Sequence, residues 1–304
     1  MSAEPGRTMP PLPRVTERLK ALLGAGVEVG TVLDVGVQTG THFLLECLPA
    51  VPHLLFEPVE QYFAEIRKNY AHTKHELFEV AASCDQGTVW LLEFCLDGTN
   101  KVTHSQLVDA PVEVGSKPDL LHCRPVRRAS LDVALAGRDD KLPYLLKVDV
   151  DGHEIPILEG ANAILAKSSI CIVEASIPTV GAKINLLNAA GFQLFDIVDL
   201  CYYHGVMSQA DLIFVHRDWI ARCPDLRPWQ TKTFSWEAWN NLSRHPLLDP
   251  AAGKVCVHAV VLPTAVAHLV RGLQCCLFAL TFSRSAQQPP GRRVATSSAA
   301  PCWR

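Results

Sequence analysis

Short apolar runs alternate with stretches of helical periodicity over most of this chain, and that alternation limits its fold more than any other feature. "TVLDV" (31–35) precedes a helical stretch ending near Leu48. "HLLFE" (53–57) precedes "VEQYFAEIRKNY" (59–70), whose apolar residues fall at i, i+3 and i+4. Further on, "YLLKVDV" (144–150) leads into a helix expected at about 153–167, and "SICIVEAS" (169–176) into "TVGAKINLLNAAG" (179–191). "FQLFDIVDL" (192–200) and "ADLIFVH" (210–216) close the series. "HELFEVAAS" (75–83), "GTVWLLEF" (87–94) and "HCRPVRRAS" (122–130) also read as extended, and the polar segment 95–121 has little pattern.

Strands that are apolar without interruption are buried on both faces, so helices must cover both sides of a mostly parallel sheet. Such sheets bind ligands beyond the carboxyl ends of their strands. The residues just after Val35, Phe56, Val80 and Val148 are therefore the ones to inspect.

Composition sets outer bounds. With 304 residues, 48% hydrophobic and 19% charged, the chain suffices for one α/β domain and appendages. We divide it into a disordered Pro-rich segment at 1–13, a folded α/β domain at 14–220 and an extension at 221–304, largely irregular or disordered after about 250. A net charge of −3 makes no overall electrostatic case for nucleic acid as a partner. The apolar run at 254–270 is interrupted by Lys254, His258, Pro263 and His268, so no membrane span is expected. Eleven scattered cysteines and a charged, Pro-containing start fit a reducing, cytoplasmic setting. Oligomeric state has no readable signal.

The first strand ends "LDVGVQTG". Gly36 and Gly40 bracket a tight loop before a helix, and glycine permits close backbone approach there. Glu57 ends the second strand 23 residues after Asp34, where a carboxylate can take both hydroxyls of a ribose. The dinucleotide pattern G-x-G-x-x-G and the Walker G-K-[ST] are both missing. An acid two residues before the first glycine would repel a pyrophosphate but suits a ligand with an ammonium group. S-adenosylmethionine meets both demands. A generic strand–helix turn with a solvated glutamate is the plainer alternative.

These motifs together resemble the FkbM family of class I, S-adenosylmethionine-dependent methyltransferases. "LDVGVQTGTH" is similar to the family's first loop, "FEPVEQYF" to its acidic second-strand motif, and "EVAAS" and "SLDVAL" to later segments. "LLKVDVDGHEIPILEGA" is similar to its most distinctive stretch, with "CIVEAS" following as expected. Gln38 stands where the family often has Asn, and Asp151 where it usually has Glu. The resemblance spans about Thr31 to His216. It implies a Rossmann-like α/β fold, with a seven-stranded, mostly parallel sheet, its last strand antiparallel, and helices on both faces. It also implies methyl transfer, most often to oxygen. Asp34, Gly36, Gly40 and Glu57 would bind the cofactor, with Ala81 or Ala82 beside the adenine.

Transfer of a methyl group to a hydroxyl needs alignment of the acceptor and removal of its proton. Asp149 and Asp151 would face one side if the strand stays extended, with His153 just beyond. Three readings compete. His153 or Asp149 is a general base; or Asp149, Asp151 and Glu174 hold a divalent cation; or Asp151 and Glu154 merely cap a helix while His153 packs. Lys147 either pairs with one of the acids or snorkels from a buried strand. Tyr202, Tyr203 and His204 lie in a loop able to wall an acceptor pocket. "THSQL" (103–107) resembles a family segment near the acceptor. The expected acceptor is a small molecule or glycan. A non-catalytic, methyltransferase-like interaction protein is the alternative, since a cofactor loop does not guarantee turnover.

Overall fold

A computed structural model of the protein describes residues 12 and 14–226. The readings for 1–11, 13 and 227–304, including the apolar run at 254–270, lie outside the described residues.

Eleven strands and eight α-helices are present among the described residues. The strands are β1 (Thr31–Val35), β2 (His53–Phe56), β3 (His75–Phe78), β4 (Ala81–Ala82), β5 (Gly87–Phe94), β6 (His104–Val108), β7 (Leu120–Ala129), β8 (Tyr144–Val148), β9 (Ser168–Ser176), β10 (Phe192–Tyr203) and β11 (Val206–His216). The helices are α1 (Val15–Gly24), α2 (His42–Cys47), α3 (Phe63–Asn69), α4 (Leu131–Ala134), α5 (Glu154–Glu159), α6 (Asn162–Leu165), α7 (Val180–Ala189) and α8 (Arg217–Arg222).

Seven strands form the main sheet in the order β10-β11-β9-β8-β1-β2-β3. Pairing is parallel from β9 through β3, while β11 runs antiparallel to both of its neighbours. Chain order reverses between β1 and β8, so the crevice above their carboxyl ends is the switch point where such sheets bind ligands. Alternation of side chains divides the core. Leu33, Val35, Leu146, Val148, Cys171 and Val173 pack on one face, and Val32, Leu145, Ile170 and Ile172 on the other. Helix α1 covers the second face through Val15, Leu19 and Leu22, spaced i, i+4 and i+7.

A second sheet, β4-β7-β5-β6, is built from the segment between β3 and α4. Its formation corrects two readings. The single strand expected at 75–83 breaks after Phe78, and Ala81–Ala82 pairs with Arg128–Ala129 instead. The patternless segment contains β6, which pairs with β5 from Trp90↔Val108 to Phe94↔His104. Hydrophobic alternation fails there because β6 is an edge strand, none of whose residues is fully buried.

The helix expected at 153–167 is two short ones, separated at Gly160 and Ala161. A side chain at Gly160 would lie 2.4 Å from the carbonyl of Ser83, just beyond β4, so the close passage of that segment requires glycine there. Tyr202 and Tyr203 belong to the end of β10, and His204 starts the turn into β11; all three are exposed and none lines the cavity described next.

Candidate active site

A cavity of about 430 Å³ opens above the carboxyl ends of β1, β2, β8 and β9, within the size range of small-ligand sites. Gly36, Glu57, Ala81 and Ala82 line it, as do Asp149, Asp151, His153 and Glu174. Four of the six sequence-predicted cofactor residues therefore share one space with both predicted catalytic residues, Asp149 and His153. Gly40 lines an adjacent cavity together with Gly36, Gln38, Lys147 and Asp149. Asp34 lines neither; it is fully buried beneath the loop.

The loop after β1 is shaped by close approach. Gly36 has φ +79°, and a Cβ there would sit 1.8 Å from the Asp149 carbonyl oxygen. Only glycine lets the chain leave β1 so close to the end of β8. Gln38 follows with φ 52° and donates its backbone N–H to Glu57 Oε2 at 2.8 Å, while the Val59 N–H reaches Oε1 at 2.9 Å. Burial pushes the Glu57 carboxyl up to about 7 despite these two donors. Each oxygen retains acceptor capacity, which two ribose hydroxyls can use.

Beneath the loop lies a buried charge network. Lys147 donates to the Gly36 carbonyl at 2.7 Å and lies 3.4 Å from both Asp34 Oδ1 and Asp149 Oδ2. Burial works against its charge, but Asp34 and Asp149 outweigh it and hold Lys147 above the ordinary lysine value. The snorkelling reading of Lys147 is thus replaced by pairing. Tyr70, also fully buried, donates its hydroxyl to Asp34 Oδ2 at 3.0 Å and accepts the Thr41 N–H at 3.2 Å. Asp34 already has a cation and a hydroxyl donor, so it supports the loop from below.

Beyond β8 the chain does not stay extended. Asp151 and Gly152 have φ 51° and 102°, yet Asp149 and Asp151 both still reach the cavity. Asp151 accepts the Ser105 N–H of β6 at 3.2 Å, and burial raises its carboxyl, with that N–H and His104 opposing. Glu154 turns inward, where it meets Lys183 at 2.8 Å and accepts the Gly152 N–H at 2.8 Å. Burial disfavours its charge, but Lys183 prevails and its carboxyl is lowered. Glu154 therefore serves the fold, in a pair whose side chains are each 2% exposed.

His153 lies with Nε2 3.1 Å from Ser83 Oγ, and burial lowers its pKa. Glu174 is pushed up to about 7, by burial and then by Asp149, Glu154, Asp211 and Asp151. Among the described residues no three of His, Cys, Asp and Glu are grouped to hold a metal ion, so Asp149, Asp151 and Glu174 share a cavity without forming such a set.

Sequence reasoning missed Tyr62, Tyr70 and Gln209. Two of these line the cavity, while Tyr70 braces the loop; the "THSQL" segment (103–107) lines the cavity too. A tyrosine at the end of an amphipathic helix carries no signal for its buried partner, and Gln209 reaches the cavity only because β11 inserts beside β9.

The sheet order, the glycine turn at the first strand and the acid ending the second define a class I methyltransferase fold. The chain belongs to the methyltransferase FkbM domain family, which it matches over residues 34–194. Among solved structures it is similar to precorrin-6y C5,15-methyltransferase from Geobacter metallireducens, at 10% identity and TM-score 0.34, covering 66% of this chain and 87% of that one. It is also similar to magnesium protoporphyrin IX methyltransferase from Synechocystis PCC 6803 with bound SAM, at 8% identity and TM-score 0.37, covering 66% and 77%. No curated protein matches it in sequence. No helix among the described residues is long and apolar enough to cross a membrane.

Proposed function

We propose that this chain is an S-adenosylmethionine-dependent O-methyltransferase acting on a hydroxyl of a small molecule or glycan. One observation carries the reading: Gly36, Glu57, Ala81 and Ala82 line the same cavity as Asp149 and His153. The cofactor fits the groups present. Glu57 offers a carboxylate to the ribose, and Phe56, Ala81, Ala82 and Leu91 offer an apolar wall to the adenine. Gly36 and Gly40 shape the loop, and Asp34 acts through Lys147. When bound, S-adenosylmethionine supplies an electrophilic methyl group on sulfur.

The chain's own task is to orient the acceptor and take its proton. His153 suits the second role, because burial lowers its pKa and leaves a neutral imidazole at neutral pH. Asp149 is already engaged by the Lys147 ammonium group at 3.4 Å. We assign Asp149 to acceptor positioning. All seven described cysteines are free thiols, which supports a reducing, cytoplasmic setting.

The test is calorimetric titration with S-adenosylhomocysteine, on wild type and Glu57→Ala, followed by methyl-transfer assays of His153→Gln. Micromolar binding lost in Glu57→Ala, and turnover lost in His153→Gln with binding intact, is the expected result. A folded wild type that binds no S-adenosylhomocysteine would refute the reading in favour of a non-catalytic interaction protein.

A further inference from the structure

The cavity that joins the cofactor residues to His153 has a one-sided charge inventory. Glu57, Asp149, Asp151 and Glu174 contribute four carboxyls to its wall, and no lysine or arginine among the described residues lines it. Its basic side chains are the two histidines, His104 and His153, and burial keeps His153 neutral. Ser105, Gln106 and Gln209 add uncharged hydrogen-bonding groups on the acceptor side.

Nearby cations are engaged elsewhere. Lys147 is held by Asp34, Asp149 and the Gly36 carbonyl. Lys183 is held by Glu154 and the Glu174 carbonyl. Arg128 pairs with Asp85 at 2.7 Å.

Resting on the reading of this cavity as a methyl-transfer site, we propose that the acceptor is a polyhydroxylated molecule that is neutral or amine-bearing. Asp151 and Glu174 exclude acceptors that carry a phosphate or carboxylate. An anionic group entering here would be desolvated beside like charges, without the guanidinium or ammonium partner that phosphate recognition uses. A sugar hydroxyl would instead find carboxylate and amide partners, and an ammonium group would find a countercharge. Asp151 and Glu174 pair with no lysine or arginine among the described residues: Asp151 accepts the Ser105 N–H, and Glu174 accepts a side-chain N–H of Gln209. Selectivity is thus built by repulsion of the wrong ligand as much as by attraction of the right one.

Matched sugars test this. Wild type, Glu174→Gln and Asp151→Asn, each saturated with S-adenosylhomocysteine and checked for an intact melting transition, are titrated with glucosamine, glucose and glucose 6-phosphate, observed by ligand NMR. Glucosamine is expected to bind about tenfold or more tighter than glucose 6-phosphate, which corresponds to ~1.4 kcal/mol. At least one of the two variants is expected to shrink that ratio to about threefold or less. Equal affinities, no measurable binding of any sugar, a preference for the phosphate, or a ratio unchanged in both variants would overturn the proposal. Failure of the wild type to bind S-adenosylhomocysteine would instead strike the underlying methyltransferase reading, so the two failures are distinguishable.

Discussion

Replacing Gly36 by alanine should damage fold and cofactor binding together. The added Cβ would lie 1.8 Å from the Asp149 carbonyl oxygen and 2.8 Å from both its carbon and Val150 Cγ1. Non-bonded carbon contacts settle at about 3.5 Å, so the two chains must part by roughly 1.5 Å. Three hydrogen bonds resist that movement: Gly36 N–H to the Phe56 carbonyl at 3.0 Å, Asp149 N–H to the Val35 carbonyl at 3.1 Å, and Lys147 to the Gly36 carbonyl at 2.7 Å. Alanine at φ +79° adds about 1–2 kcal/mol of backbone strain, and forced overpacking about 1–3 kcal/mol. A total near 2–5 kcal/mol corresponds to a melting point roughly 4–20 °C lower for a domain of this size. Gly40→Ala is the control. Its φ of +146° also strains a side chain, but the nearest atom to its Cβ is Tyr70 Cε2 at 3.5 Å, an ordinary contact. Urea unfolding and calorimetry with S-adenosylhomocysteine should therefore rank Gly36→Ala well below Gly40→Ala on both measures. A Gly36→Ala protein with wild-type stability and affinity would refute the view that the loop is pressed against the end of β8.

Lys147→Met should cost about 3–5 kcal/mol in urea unfolding, because it leaves Asp34 buried without a countercharge; adding Asp34→Asn should recover much of this, and a single-variant loss under about 1 kcal/mol would contradict the network's assigned weight. For Glu57, burial raises the folded-state pKa from 4.5 to about 7. Its contribution to stability in the ligand-free protein is therefore fully present below pH 4.5 and is lost as pH rises through 7. Ribose hydroxyls donate to the ionised form, so affinity for S-adenosylhomocysteine should strengthen from about pH 6 to 8. Glu57→Gln should flatten that binding profile, and a slope that survives the substitution would assign the titration to another group. The stability slope should flatten only in part, since Glu174 at about 7 and Asp211 at about 6 titrate in the same direction.

The parts legible in the sequence were those governed by local pattern. Continuous apolar runs announced β1, β2, β8 and β9, which are buried on both faces, and glycine spacing announced the loop after β1. Glu57 was legible from its place at the end of the second apolar strand, 23 residues after Asp34. The second sheet was only half legible. β5 and β7 declared themselves, but β6 is held by ladder bonds to β5 and by contacts such as Ser105 N–H to Asp151, made across 46 residues. Pairing at that distance leaves no periodicity in a polar edge strand. Asp34 illustrates a second limit. Its place at a strand end was legible, but its partners Lys147 and Tyr70, from β8 and from just beyond α3, were not.

That network also explains why site and fold cannot be separated in this chain. Lys147 is simultaneously the countercharge of the buried Asp34, a clamp on the Gly36 carbonyl and the partner of Asp149 at the cavity wall. Asp149 in turn presents the carbonyl that forbids any side chain at position 36. The cofactor loop and the proposed acceptor-positioning acid are thus fixed by one buried ammonium group at the junction of β1 and β8. Loss of turnover at Asp34, Gly36 or Lys147 therefore carries no information about chemistry unless stability is measured beside it. Glu57 and His153 are cleaner probes, because neither is a partner of that ammonium group. Glu57 is tied by two backbone N–H groups and His153 touches Ser83.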